Sequence, residues 1–548
     1  MLNEWARMET NYDIPYFPHV SLGWDNMKIL FAGVLLSTNL VCSGESTAKG
    51  ETAMSHPREY TPVVKGCLDV LLEHGTDHYG RQQTPLLVSI LDAETLQCPA
   101  EPAPLDEYYR VTRRGRRNPG GSNLMGDQPL LRAMYRLSET GGDPRYGEFA
   151  RRYSRFVMTN LVDDHGFFWW GWHRHYDVHK DIRDGHNDNP HELHTLFEID
   201  WERLWALEPA AVTREIEAIW QWHVIDKQTG EVNRHGDGHR GCDFSMAAGA
   251  YLQAFAFLYA KTAERQWLDR ARLLADYYWQ RRNPQTNLFP ERPNAGADRF
   301  DGSTFTTSIP GLHCYSLLRA WRLTGDTVFR DHALATLAAY AKFGFDEKTG
   351  QFWAALRLDG TPITEPRVFT DNIDSSEGYL AAQPRGHLDL WQPYLAGYEH
   401  PIHTAQIYAY AYQLTNQPDL LVTARRFADW LSRTPPGSAS EHPTAWYRAY
   451  SNGPGRQGTY ADQYGRAISF YLSMAVITGE TKYLADARAL ADVAVAKLRC
   501  TNGLFRGHPA KPYYEAMDGV GYLMVALLQL AELEKNPAAL PAEALANW

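Results

Sequence analysis

Six cysteines in 548 residues, with no two spaced as Cys-x-x-Cys, give this chain neither a zinc knuckle nor a dense disulfide framework. Cys42, Cys67, Cys98, Cys242, Cys314 and Cys500 lie far apart, so one or two bridges after export are the most they would form. Long apolar runs are also missing. Beyond the amino-terminal region no stretch reaches about 18 uninterrupted apolar residues, and no transmembrane segment is expected in the mature protein. Positive charge is in deficit too: the formal net charge is -11, whereas neutralising phosphates takes an excess of Lys and Arg, which excludes a generic nucleic-acid binder. An acidic polymer would need a local basic groove, and Arg110, Arg113, Arg114, Arg116 and Arg117 offer one, unless they form a solvated loop.

What the chain has in quantity is aromatic surface, with 17 Trp, 31 Tyr and 21 Phe in a sequence only 22% charged. Sugar rings stack on such faces, although packing remains the default for any single aromatic residue. Residues 1–26 read as an upstream mis-start. Residues 27–44, with Lys28 before an apolar run from Ile29 to Val41 and then Cys42-Ser43-Gly44, have the order of a secretory signal peptide, which implies a periplasmic or extracellular protein. Asn39-Leu40-Val41 is a poor lipobox, so simple cleavage is expected rather than lipid attachment at Cys42.

A phrase recurs along the rest: a helical run, a Thr-Gly-Asp-like turn, then a second helical run. Copies occur at Leu137–Tyr146, Tyr259–Leu268, Trp321–Phe329, Tyr412–Leu420 and Val476–Tyr483, with a degenerate one at Trp205–Val212. In most of them a Gly or Asn can close the first helix in the left-handed conformation, and the polar residue after it can cap the second. Each unit is therefore an αα-hairpin. Six or seven hairpins close a ring, so the spacing predicts an all-α (α/α)6-7 toroid over residues 55–535, followed by a frayed tail at 536–548. Gly/Pro/aromatic-rich insertions, among them Gly166–Pro190 and Asn283–Pro310, all fall on one side of the repeat and would rim a cleft; short alternating stretches such as Gln351–Leu356 read as small β-hairpins there.

Polar chemistry concentrates between Trp169 and Asp243. The strings Trp169-Trp-Gly-Trp-His173-Arg-His175, His186-Asn-Asp-Asn-Pro-His191-Glu192-Leu-His194 and Asn233-Arg234-His235-Gly-Asp237-Gly-His239 hold seven of the 21 histidines. Imidazoles and a carboxylate arriving from successive loops on one face suit a divalent cation. His191 and His194 are three apart, one short of the His-Glu-x-x-His spacing of a zinc protease, so that class is rejected.

Trp-Gly-Trp-His173, His191-Glu192-Leu193 and Asn233-Arg234-His235-Gly236, in this order, resemble the metal and base positions of the family 2 polysaccharide lyases, pectate lyases of α/α toroid fold. The resemblance implies beta-elimination on a uronate-containing polysaccharide or oligosaccharide. It makes His173, Glu192 and His235 ligands of a divalent cation, Mn or Ca, and Arg234 the base. A free guanidinium holds its proton far above neutral pH, so the other role open to Arg234 is a clamp on the substrate carboxylate, with His235, His191 or Tyr251 as base. Trp170, Trp172, Asn187, Asp127 and Arg117 are the candidates for substrate contact. Two other readings stay open. A glycoside hydrolase on the same toroid would draw two carboxyls from Asp127, Asp188, Glu192, Asp243 and Asp301. A non-catalytic glycan binder would show aromatic platforms without a convergent polar site.

Overall fold

The computed structural model describes residues 59–100, 118–171, 174–185, 191–193, 198–236, 238–294, 302–365, 384–391, 400–436, 458–536, 540 and 545–547. The expected signal peptide and the Arg110–Arg117 cluster lie outside these residues. Residues 57–548 form one compact unit. Its helices are α1 (Tyr60–Val70), α2 (Leu124–Gly141), α3 (Arg145–Asn160), α4 (Trp201–Leu207), α5 (Pro209–Ala218), α6 (Ser245–Thr262), α7 (Arg265–Trp279), α8 (Cys314–Thr324), α9 (Thr327–Phe343), α10 (Pro401–Thr415), α11 (Pro418–Arg433), α12 (Ala461–Thr478), α13 (Thr481–Leu498) and α14 (Val520–Lys535).

Even-numbered helices form an inner ring and odd-numbered ones an outer ring, and the residue patterns say why. An inner helix meets neighbours on both flanks and a partner behind, so it is buried on nearly all sides, as α6 and α14 are. An outer helix faces solvent and shows one apolar stripe: α3 buries Tyr146, Phe149, Ala150, Tyr153 and Val157 and exposes Arg151, Arg152, Arg155 and Thr159 on its other side. The inner ring closes through short α4. Lys261 on α6 pairs with Glu202, and Arg203 stacks over Tyr135 of α2 at 4.7 Å. The described residues make an all-α toroid of seven hairpins, and the seventh pairs the first described helix with the last, α14 packing on α1.

The Thr-Gly-Asp turns do what the sequence predicts. Gly142, Gly325, Asn416 and Gly479 close inner helices with φ between 54 and 73°, and Ala263 takes the same conformation without being Gly or Asn. Threonine recurs because its hydroxyl serves both helices: Thr324 Oγ1 donates to the Ala320 carbonyl at 2.8 Å and accepts the Asp326 amide at 3.1 Å. Capping of the outer helix is less regular. Asp326 accepts the Val328 amide, while Glu264, Gln417 and Glu480 make no such bond.

On the opposite face, five outer helices end in tight turns at Asp163–Phe167, Asp226–Glu231, Asn283–Leu288, Asp346–Gln351 and Cys500–Leu504, each containing a residue of positive φ (Gly166, Gly230, Asn287, Gly350, Gly503). In the first four the leading Asp or Asn accepts an amide two residues on, as Asp226 does from Gln228 at 2.9 Å. Small two-stranded pairings follow from these turns, Val224–Asp226 with Glu231–Val232 and Phe345–Asp346 with Gln351–Phe352. The tail does not fray where it is described. Leu545 and Asn547 are fully buried, and Asn547 Nδ2 donates to Ser469 Oγ and the Tyr522 carbonyl, because the inner ring still has open acceptors there. The five described cysteines are free thiols, and no described helix is long and apolar enough to cross a membrane.

Candidate active site

Two extended segments meet edge to edge on the loop face. Glu192 and His235 form an antiparallel bridge, and the Gly236 amide donates to the His191 carbonyl at 2.8 Å. The second segment is pinned by its own side chains. Asn233 Oδ1 accepts the His235 amide at 2.8 Å, Asn233 Nδ2 donates to the His239 carbonyl, and the Arg234 amide donates to the Cys242 carbonyl. The first segment has Gly171 against its backbone: a Cβ there would lie 2.6 Å from the Glu192 carbonyl oxygen, and φ is 113°. Asn123, at the start of inner helix α2, donates to the carbonyls of both Gly171 and Arg174. The residues flanking Trp172 and His173 are thus fixed beside Glu192, while these two lie outside the described residues.

This register brings three charged groups together. Glu192 Oε1 lies 3.1 Å from Arg234 Nε and 3.5 Å from His235 Nε2, with the Glu192 side chain 2% exposed and that of His235 24% exposed. Burial disfavours the imidazolium at His235, but the Glu192 carboxylate and the Cys242 thiol outweigh it and push its pKa up to about 9. Burial likewise raises Cys242, and its contacts with His235, Arg234 and Arg292 bring it below the usual thiol value. Arg234 stacks over Phe244 at 4.5 Å, and Arg292 packs on the same ring.

One carboxylate and one imidazole facing each other across a bridge have the donor chemistry that a divalent cation requires, and a cation would displace the proton from His235. They are two donors of the expected three. Among the described residues no group of three or more His, Cys, Asp or Glu side chains is placed to hold a metal ion, and His173 is not described.

Behind this layer lies a second polar system that the sequence reading did not single out. His191 Nδ1 is 2.8 Å from His223 Nε2, His223 Nδ1 is 2.8 Å from the Asn233 carbonyl oxygen, and Glu215 Oε1 is 3.4 Å from His191 Nε2. Glu215 also accepts Trp170 Nε1–H at 2.7 Å and the Phe168 amide at 2.5 Å. Outer helix α5 and its wider π-helical last turn, Ile219–His223, carry both new residues. The signal was present: Glu215 stands in the apolar stripe of Val212, Ile216 and Ile219, where a carboxylate is out of place.

Several expected contacts do not survive these positions. Trp170 is 0% exposed with its indole N–H on Glu215, so it is core rather than a sugar platform. His191 is 1% exposed, stacked on Phe167, and held well below the usual imidazole pKa by burial and the Arg174 cation, so no substrate reaches it as a base. Tyr251 is sealed inside α6, its hydroxyl donating to the Arg234 carbonyl at 3.2 Å, and burial keeps its proton in place. The Asp127 carboxylate accepts Tyr153 O–H and the Asn123 amide within the core and contacts no cleft. Asn187 and Arg117 lie outside the described residues. A cavity of about 330 Å³ among the inner helices is lined by none of these site residues. Its arginines are engaged with carboxylates, Arg132 with Glu198, Arg136 with Glu532 and Arg203 with Asp200.

Among solved structures the chain is similar to cellobiose 2-epimerase from Bacillus thermoamylovorans B4167, with 12% identity, TM-score 0.43 and coverage of 73% of this chain and 93% of the other. It is similar also to an unsaturated glucuronyl hydrolase specific for heparin, with 10% identity, TM-score 0.42 and coverage of 87% and 98%. Among curated proteins it is similar to the pectate disaccharide-lyase of Dickeya dadantii (strain 3937), 28% identical over 127 residues, which are 22% of this chain and 23% of the relative. The match thus spans under a quarter of that relative's length. The family model described as periplasmic pectate lyase matches residues 108–246. By that match the segment that carries Glu192, Arg234 and His235 is pectate lyase-like.

Proposed function

We propose that the protein is an exported, periplasmic or extracellular carbohydrate-active enzyme that cleaves a uronate-containing polysaccharide or oligosaccharide by beta-elimination. The reading rests on one observation above the others: the charged cluster of Glu192, Arg234 and His235 falls inside the pectate lyase-like segment. Elimination takes the C5 proton of a uronate and expels the C4 oxygen, so negative charge grows on the carboxylate as the proton leaves. His173, Glu192 and His235 would hold a divalent cation, Mn or Ca, which when bound supplies Lewis-acid stabilisation of that carboxylate.

Arg234 is the proteinaceous cation of the cluster. Its Nε lies 3.1 Å from Glu192 Oε1, a guanidinium at this place has the chemistry to pair with a substrate carboxylate, and the same position makes it the proton acceptor if its proton is lost. The two roles separate in R234K. A lysine loses its proton more readily but cannot form the bidentate pair, so a clamp predicts mainly a raised KM and a base predicts a shifted pH profile of kcat.

The hydrolase alternative loses two of its five carboxyls. Asp127 is bound to Tyr153, and Asp243, 0% exposed, accepts Tyr277 O–H at 2.7 Å. Polygalacturonate, glucuronan and alginate, each with and without chelator, test the proposal by the ultraviolet absorbance of the unsaturated uronate that only elimination makes. Chelator and E192A are each expected to abolish the signal. New reducing ends without that absorbance would overturn it in favour of hydrolysis.

A further inference from the structure

The cavity of about 330 Å³ lies between the inner helices, from their middle to their turn ends, with Arg132, Arg136 and Glu139 of α2, Gln253 and Phe257 of α6 and Gln529 of α14 among its lining. At 1.5 Å per residue the three α2 positions stand about 14 to 24 Å further along that helix than Asn123, which donates to the carbonyls beside Glu192. The cavity is therefore separate from the Glu192 cluster and opens toward the other face of the ring. Glu139 and Glu202 are exposed at its mouth, and Gln253 and Gln529 are buried at its floor. Its walls carry four arginines and four carboxylates, and these are already paired: Arg132 with Glu198 at 3.2 Å, Arg203 with Asp200 at 2.6 Å and with Glu139 at 3.1 Å, and Glu202 with Lys261. A charged ligand would meet as much repulsion as attraction there. What lacks a partner is an amide. Gln253 is 8% exposed, and its side chain makes no hydrogen bond with any described residue, although leaving such a group unbonded inside a protein is unfavourable.

We infer that this cavity is a second binding site, for a neutral saccharide of one or two rings, with the Gln253 amide holding one of its hydroxyls. A sugar hydroxyl both donates and accepts, and the walls supply both: guanidinium N–H groups donate, carboxylates accept, and the Gln253 amide does either. The C–H face of a sugar ring has its apolar counterpart in Phe257, Leu323 and Val525 on the same lining. A volume of about 330 Å³ stands at the lower end for small-molecule sites, which suits one or two rings and excludes a polymer chain. Asn547, through its bonds to Ser469 Oγ and the Tyr522 carbonyl, fixes the neighbouring Ala546 in the wall. The site is independent of the elimination proposed for the Glu192 cluster, whose uronate substrate carries the charge that this paired lining does not select.

Saturation-transfer NMR and calorimetry on the full chain test this with galactose, glucose, mannose and lactose, each set against galacturonate. At least one neutral sugar is expected to bind, and to bind more tightly than galacturonate at neutral pH. Q253M keeps the length of the side chain without its amide, so it is expected to weaken that binding by about tenfold or more while melting no lower than the wild type, because it removes a buried group that the protein itself leaves unbonded. L323W, which narrows the turn end of the cavity, is expected to abolish binding, and E192A to leave it unchanged. Binding that survives in both Q253M and L323W but is lost in E192A would place the sugar at the Glu192 cluster and overturn the inference. Tighter binding of galacturonate would overturn it too, as would the absence of binding by every neutral sugar.

Discussion

Buried carboxyls behave here according to what surrounds them, and Glu291 shows it away from the site. It is fully buried and accepts hydroxyl hydrogen bonds from Ser245, Thr306 and Ser308, yet burial outweighs them and lifts its pKa to about 7. A carboxyl raised above its unfolded value near 4.5 binds a proton more tightly when folded. Its contribution to stability is complete below that unfolded value and is lost as pH rises through about 7. Thermal melts across this window should therefore show the wild type losing stability more steeply than E291Q, and equal slopes would refute the assignment. Glu192, Arg234 and His235 were legible in the sequence through the resemblance of their strings to a known family, and the fold brings the three together. Glu215 and His223 were not, since they approach His191 only after an outer helix has packed behind the loop. The run Trp169-Trp170 misled for a related reason: tryptophan looks the same in a sequence whether its N–H faces a sugar or, as for Trp170, a buried acid.

At the scale of elements, glycine does two separate jobs, and substitution distinguishes them. Gly479 ends α12 at a φ of 71° with open space around it, so alanine there should cost only the left-handed backbone penalty, about 1 kcal/mol. Gly521 on α14 touches the backbone of Pro129 and Leu130 on α2, and Gly465 on α12 touches the backbone of Tyr522 and Leu523, so a methyl group at either would push two inner helices apart. G521A and G465A are expected to lower the denaturation midpoint well beyond G479A, by about 1–3 kcal/mol or more as overpacking does. Denaturant titration of the three variants checks the ranking. The first set of turns could be read from sequence because Thr-Gly-Asp repeats in a nearly fixed form. The second set escaped because its members share a geometry, a positive φ and an Asx contact, while their letters vary from Asp-Asp-His-Gly to Asn-Pro-Gln-Thr-Asn.

At the scale of the whole molecule, the count of hairpins was left at six or seven for a physical reason. Six are joined by turns that a sequence displays, whereas the seventh pairs the first described helix with the last and has no turn at all. Contacts separated by more than four hundred residues close it: Tyr60 donates to Asp492 at 3.1 Å, Ile90–Asp92 pairs with Tyr513–Glu515, and the Phe505 amide donates to Cys67 Sγ. Val63, Val64, Leu68 and Leu71 on the amino-terminal side are buried in the same core as Leu523, Leu527 and Leu530 of α14. In an open solenoid, loss of a terminal helix leaves the remaining repeats intact, because each touches only its neighbours. In a closed ring the same loss uncovers both α14 and the start of α2, so the damage reaches two hairpins distant in sequence. Deleting residues 57–75 should therefore lower the melting temperature by far more than one exposed helix face would suggest, and should expose surface on α14 and α2 together. Hydrogen exchange on the truncated chain decides it: loss of protection confined to the residues next to the cut would mean the ring is not mechanically closed, whereas loss in both Leu124–Gly141 and Val520–Lys535 is the signature expected of closure.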